Sequence, residues 1–80
     1  MIIEGDTIIW KSQTEYYEKE RTGMKKNTER VLSLEEEAEL IKHISELKRI
    51  QIWNPETHEG FNRTLTDMTK WNGIWIFSWK

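Results

Sequence analysis

Lys25, Thr28 and Arg30 stand in the string Gly23-Met24-Lys25-Lys26-Asn27-Thr28-Glu29-Arg30, which gathers an amine, a hydroxyl and a guanidinium just past a polar, helix-forming run. With Lys26 beside them, these groups can build a pocket for an anion or a nucleobase, because charged donors make the stronger hydrogen bonds to oxyanions and base edges. Gly23 sits where a left-handed residue closes a helix. The same string also reads more plainly, as a helix stop followed by a solvated basic turn, since lysine is favourable near the negative end of a helix.

Written as GxKxxTxR, the string resembles the signature turn of ASCH domains, a branch of the PUA-like β-barrels. The resemblance implies a small α+β fold, an open or partly closed PUA-like (ASCH-like) β-barrel of about five strands with two helices, spanning residues 1–80 as one domain. In the members that hydrolyse acetylated cytidine, the lysine and a threonine three residues later are catalytic, and Lys25 and Thr28 have that spacing. Carried over, Lys25 would activate Thr28 and a downstream carboxylate would complete the set. Only a neutral amine can accept the hydroxyl proton, and neighbouring positive charge from Lys26 and Arg30 would favour that form. Glu56, Glu59 and Asp67 are all open as the carboxylate, and no motif selects among them. A Gly5-Asp6 pair, common in PUA-like barrels, comes before the string here, where most ASCH domains would carry it after, which implies trimmed or rearranged strands.

Five tryptophans in 80 residues are many. Aromatic faces beside basic groups can stack nucleobases. Trp53 and Trp71 flank turns and are the candidates for exposed stacking, whereas Trp75 and Trp79 belong to the core.

The elements that must position these groups follow from periodicity. Thr7-Ile8-Ile9-Trp10 after a Glu4-Gly5-Asp6 turn predicts a short strand. Gln13 to Thr22 predicts a helix capped by Ser12 or Thr14, with Tyr16 and Tyr17 as its apolar bulk and Glu20 one turn after Tyr16. Thr28 to Leu32 predicts a strand that brings Arg30 back toward the sheet. Ser33-Leu34-Glu35-Glu36 is a capping box, opening a helix from Leu34 to about Leu47. In that helix Leu34, Ala38, Ile41, Ile44 or Ser45, and Leu47 or Lys48 trace one side, and Glu35, Glu39, Lys42 and Glu46 the charged side. Lys48 to Trp53, Phe61 to Asp67 and Ile74 to Trp79 predict a three-stranded meander turning at Asn54–Gly60 and Asn72-Gly73. The last strand is apolar on both faces, which requires a central place in the sheet or a partner.

Composition narrows the classes. A domain of this length buries only about 60–65% of its unfolded surface, so it can build one modest core. Twelve basic against fourteen acidic residues leave a net charge of −2, so any nucleic-acid binding must be local rather than a bulk property. No apolar run approaches the ~20 residues of a membrane span, and there is no cysteine; both fit a cytoplasmic protein without a disulfide framework. Neither His43 nor His58 has a second histidine at ligand spacing, so no metal is expected, and no cofactor fingerprint is present.

Three functions are consistent with these features. The first is a binding module that recognises RNA or a modified nucleotide through Lys25, Lys26, Thr28 and Arg30, with Trp53 or Trp71 stacking on the base. The second, implied by the resemblance, is an amidohydrolase of acylated nucleosides using Lys25 and Thr28. The third is a phage-encoded interaction module that inhibits a host or defence protein through the acidic helix or exposed tryptophans.

Overall fold

The computed structural model describes all 80 residues. The chain forms a six-stranded mixed sheet with two helices, in the order β1 (Ile2–Glu4), β2 (Thr7–Lys11), α1 (Thr14–Arg21), β3 (Asn27–Arg30), α2 (Leu34–His43), a 3-10 turn (Ile44–Glu46), β4 (Arg49–Asn54), β5 (Glu59–Trp71) and β6 (Ile74–Trp79). Across the sheet the strands run β1-β2-β4-β5-β6-β3. A small α+β fold is therefore correct; against the expected open or partly closed barrel of about five strands, the sheet has six strands and is not closed into a barrel. The extra strand comes from Ile2–Glu4, which folds back on β2 through a tight turn with Gly5 at φ +60°. Closure would need β1 or β2 to pair with β3, and β3 is four polar residues long and bonds only to β6.

Both halves of the sheet share β5. Its first half, Glu59 to Thr64, pairs with β4, and its second half, Leu65 to Trp71, pairs with β6, with a break in register between Leu65 and Asp67. An extra residue on one strand bends it and raises its twist, so the sheet folds over on itself at this point. The Asn72-Gly73 turn is a two-residue hairpin with φ of +50° and +77°, the geometry that matches strand twist.

One face of the folded sheet carries the core. Ile8 and Trp10 of β2, Ile50 and Ile52 of β4, Phe61 of β5, and Trp75, Phe77 and Trp79 of β6 all point inward, closed over by Tyr17 of α1 and Leu40 of α2. The tilted contacts Trp10 with Phe77 at 5.3 Å and Tyr17 with Phe61 at 5.5 Å are favoured ring geometries. β6 lies between β5 and β3 with its tryptophans inward, as its apolar pattern requires.

The capping box at α2 forms as read, Ser33 Oγ accepting from the Glu36 amide while the Glu36 side chain accepts from the Ser33 amide. The buried face keeps the expected Ile44 and Leu47 but not Leu34 and Ile41. Leu34 is 85% exposed and Ile41 57% exposed, while Leu40 is fully buried. Glu37 decides the rotation: its carboxylate accepts from Lys70 Nζ and from Trp75 Nε1, so the face through Glu37, Leu40, Ile44 and Leu47 turns to the sheet. Periodicity alone could not choose between two apolar faces one residue apart.

The Lys70 bond, and then the Trp75 bond, hold the Glu37 carboxyl below its ordinary value. A depressed folded pKa means stability that is present above the unfolded value and lost as pH falls through the folded one. Thermal unfolding followed from pH 7 to pH 3 should therefore show melting temperature falling below about pH 4.5, with a shallower fall in Glu37→Gln. Glu18, held down by Arg21 on the surface, acts in the same window and is untouched by that substitution. An identical acid limb in the variant would rule out Glu37 as a contributor.

Candidate functional site

The turn between α1 and β3 is fixed at three points. Gly23 takes φ +84°, the conformation that costs glycine least. The Lys25 amide donates back to the Lys19 carbonyl at 3.0 Å, and the Lys26 carbonyl accepts from the Trp79 amide at 3.1 Å. The string thus leaves a helix and enters a strand with its backbone tied to both.

β3 then sets the side chains. Thr28 lies opposite Phe77 and Arg30 opposite Trp75 in the antiparallel ladder, and cross-strand pairs share a face. Both therefore point to the inner face, where Thr28 is buried. Arg30 Nε donates to Thr28 Oγ1 at 3.0 Å, and its guanidinium lies over the Trp10 ring, 4.9 Å from the centroid. Burial pushes the Arg30 guanidinium down from its ordinary value and the Glu20 carboxylate pushes it back up. Arginine starts so high that the group stays charged.

These residues line a cleft of about 680 Å³ with Lys11, Ser12, Gln13, Tyr16, Glu20, Lys25, Glu29 and Pro55. That volume lies within the roughly 300–1,000 Å³ of small-molecule sites. Lys11, Lys25 and Arg30 against Glu20 and Glu29 give the lining a charge of three minus two, a local +1 on a chain of −2.

Glu20, which the sequence did not single out as a site residue, also lines the cleft. Its side chain is 1% exposed, its Oε1 accepts from Ser12 Oγ at 2.7 Å, and its Oε2 has no donor from the protein. A carboxylate can accept about four hydrogen bonds, so Glu20 retains acceptor capacity at the base of the cleft. The signal was its place one turn after Tyr16, on the helix that leads into the string. Ser12, expected as a helix cap, is used here instead: α1 is capped by Gln13 without a side-chain bond, and the Ser12 amide extends the β2 ladder to the Trp53 carbonyl at 2.8 Å.

Of the residues proposed from sequence, Lys25, Thr28 and Arg30 meet in the cleft, whereas Lys26, Trp53 and Trp71 do not line it. The Lys25 ammonium lies 5.7 Å from the Tyr16 ring centroid and makes no hydrogen bond to Thr28. Trp53 is half-buried with the Lys11 ammonium 5.5 Å from its ring. Trp71 is 69% exposed at the β5–β6 turn, three residue steps along and two strands across from Thr28, or roughly 14 Å. Tyr16, half-exposed on α1, is the aromatic side chain at the cleft. None of Glu56, Glu59 and Asp67 reaches it; Glu56 instead accepts from the Thr14 hydroxyl at 3.2 Å.

No group of three or more His, Cys, Asp or Glu side chains converges to hold a metal ion, and no helix is long and apolar enough to cross a membrane. His43 is flanked by Glu39 at 3.2 Å and Glu46 at 3.7 Å on its own helix and the turn after it.

Comparison with protein-family models, with curated proteins and with solved structures returns no match. The ASCH resemblance thus rests on the residues of the string.

Proposed function

We propose that the chain is a binding module for a nucleotide or a short single-stranded RNA segment, held in the cleft between α1, β3 and the end of β2. The observation that carries this reading is the pairing of opposite chemistries in one concave site. A guanidinium supported on Trp10 and two lysines suit phosphate and base acceptors, while the Glu20 carboxylate, with an oxygen unpaired by the protein, suits the amino or imino donor of a base edge. Tyr16, rather than Trp53 or Trp71, is placed to stack on the base. The likeness of the string to the ASCH signature, and through it to PUA-like modules, points the same way.

The test is a titration with the four nucleoside monophosphates and with short oligoribonucleotides at two ionic strengths. Three phosphate contacts on a single strand predict an affinity loss of about 20-fold between 50 and 200 mM salt. Absence of binding at both ionic strengths removes the proposal.

One observation favours a second reading, an amidohydrolase of acylated nucleosides. Glu20 shares the cleft with Lys25 and Thr28, so it can supply the carboxylate that the family resemblance calls for, although from upstream of the string rather than downstream. Including N4-acetylcytidine in the titration and following loss of its acetyl group by mass spectrometry separates the readings: binding without deacetylation leaves only the first.

A further inference from the structure

The outward side of α2 is apolar at regular spacing. Leu34, Ala38 and Ile41 follow one another at intervals of four and three, and Val31 lies in the segment just before the helix. Leu34 is 85% exposed, Val31 77% and Ile41 57%. Isolated exposed apolar side chains are ordinary, but Leu34 and Ile41 in line with Ala38 along a helix about 15 Å long form a seam of the kind that packs helix on helix. The core does not use it, because Glu37 and Leu40 have turned the neighbouring face inward.

The charges beside the seam identify its occupant. Glu35 and Lys42 are seven residues apart, so they flank the same side of the stripe, and neither has an ion-pair partner within the chain. Two copies of α2 packed antiparallel about a two-fold axis at Ala38 would set Leu34 of each against Ile41 of the other. Glu35 of each copy would then stand beside Lys42 of the other. In a parallel two-fold pair the Glu35–Lys42 flanks of the two copies would lie on opposite sides of the seam, and this charge pairing would be lost. A small residue at the crossing lets the helix axes approach to about 8 Å. This is an isologous surface, complementary to itself.

We infer that the Leu34-Ala38-Ile41 face of α2 is a self-association surface that pairs two copies of the chain antiparallel. The seam is short, so the interface falls below the roughly 1,200 Å² of stable complexes and the dimer is weak and concentration-dependent.

Sedimentation equilibrium of the full chain from about 10 µM to about 1 mM spans the range expected for so small an interface. The weight-average mass should rise from 9.7 kDa toward twice that value. Ile41→Lys, at an exposed position, should move the midpoint at least tenfold higher while leaving the circular dichroism spectrum unchanged. Glu35→Lys or Lys42→Glu alone should each weaken association, and the two together should restore it. A mass of 9.7 kDa throughout, or association that Ile41→Lys leaves untouched, overturns the inference, and a double exchange that fails to restore pairing overturns the antiparallel register.

Discussion

Phe77→Ala is expected to cost about 3–5 kcal/mol, the range for deleting a fully buried phenylalanine side chain and leaving a cavity. The ring is completely enclosed, 5.3 Å from the Trp10 ring and 6.3 Å from that of Trp75, so two large rigid groups would have to collapse into its place. A domain of 80 residues has a total stability of roughly 4–12 kcal/mol, and the substitution should lower the melting temperature by at least about 12 °C. Denaturant titration with Phe77→Leu beside it checks the mechanism, since a closer match in volume should cost under about 1.5 kcal/mol. A loss below about 1 kcal/mol in Phe77→Ala would mean that the aromatic cluster is loosely packed.

Arg30→Ala should have the largest effect on the proposed nucleotide binding, weakening it about 10- to 100-fold, which corresponds to the loss of charged hydrogen bonds worth roughly 1.5–3 kcal/mol. Arg30 is unlike the rim lysines because its guanidinium is already ordered by Thr28 Oγ1 and by the Trp10 ring, so less freedom is lost when a ligand arrives. Arg30→Lys keeps the charge but removes the planar fork, and it should recover the salt dependence without recovering most of the affinity. Isothermal titration of both variants, with folding monitored by circular dichroism, distinguishes the outcomes. A folded Arg30→Ala protein that binds as the parent does would remove Arg30 from the site.

Local signals in the sequence were reliable where short-range chemistry decides. The capping box at Ser33 and Glu36, the left-handed Gly23 and Asn72-Gly73 positions and the meander of β4, β5 and β6 are each fixed within a few residues of chain, and each was legible. The failures lie where distant residues decide. Which side of α2 faces the sheet depends on Lys70 and Trp75 reaching Glu37 across more than thirty positions. The count of about five strands fell one short because edge pairing is a property of the folded sheet, and the extra strand β1 is only three residues long. In the site, the spacing of Lys25, Thr28 and Arg30 identified the wall that β3 supplies. It could not reveal Glu20, whose role depends on Ser12 coming close to it from the end of β2. Trp53 and Trp71 stand next to turns, and that position says nothing of the side on which a cleft will open.

The unclosed sheet has a further mechanical meaning. The cleft draws Lys11 and Ser12 from the end of β2 and Thr28 and Arg30 from β3, strands that stand second and last in the hydrogen-bonded order and share no ladder. The site therefore occupies the seam that barrel closure would have stitched shut, and its width is governed by side-chain packing beneath α1 rather than by backbone bonds. A molecule seated there would serve as a rivet between the two limbs of a hairpin-shaped sheet hinged at the β5 bulge, so that occupancy and the rigidity of the whole domain rise together.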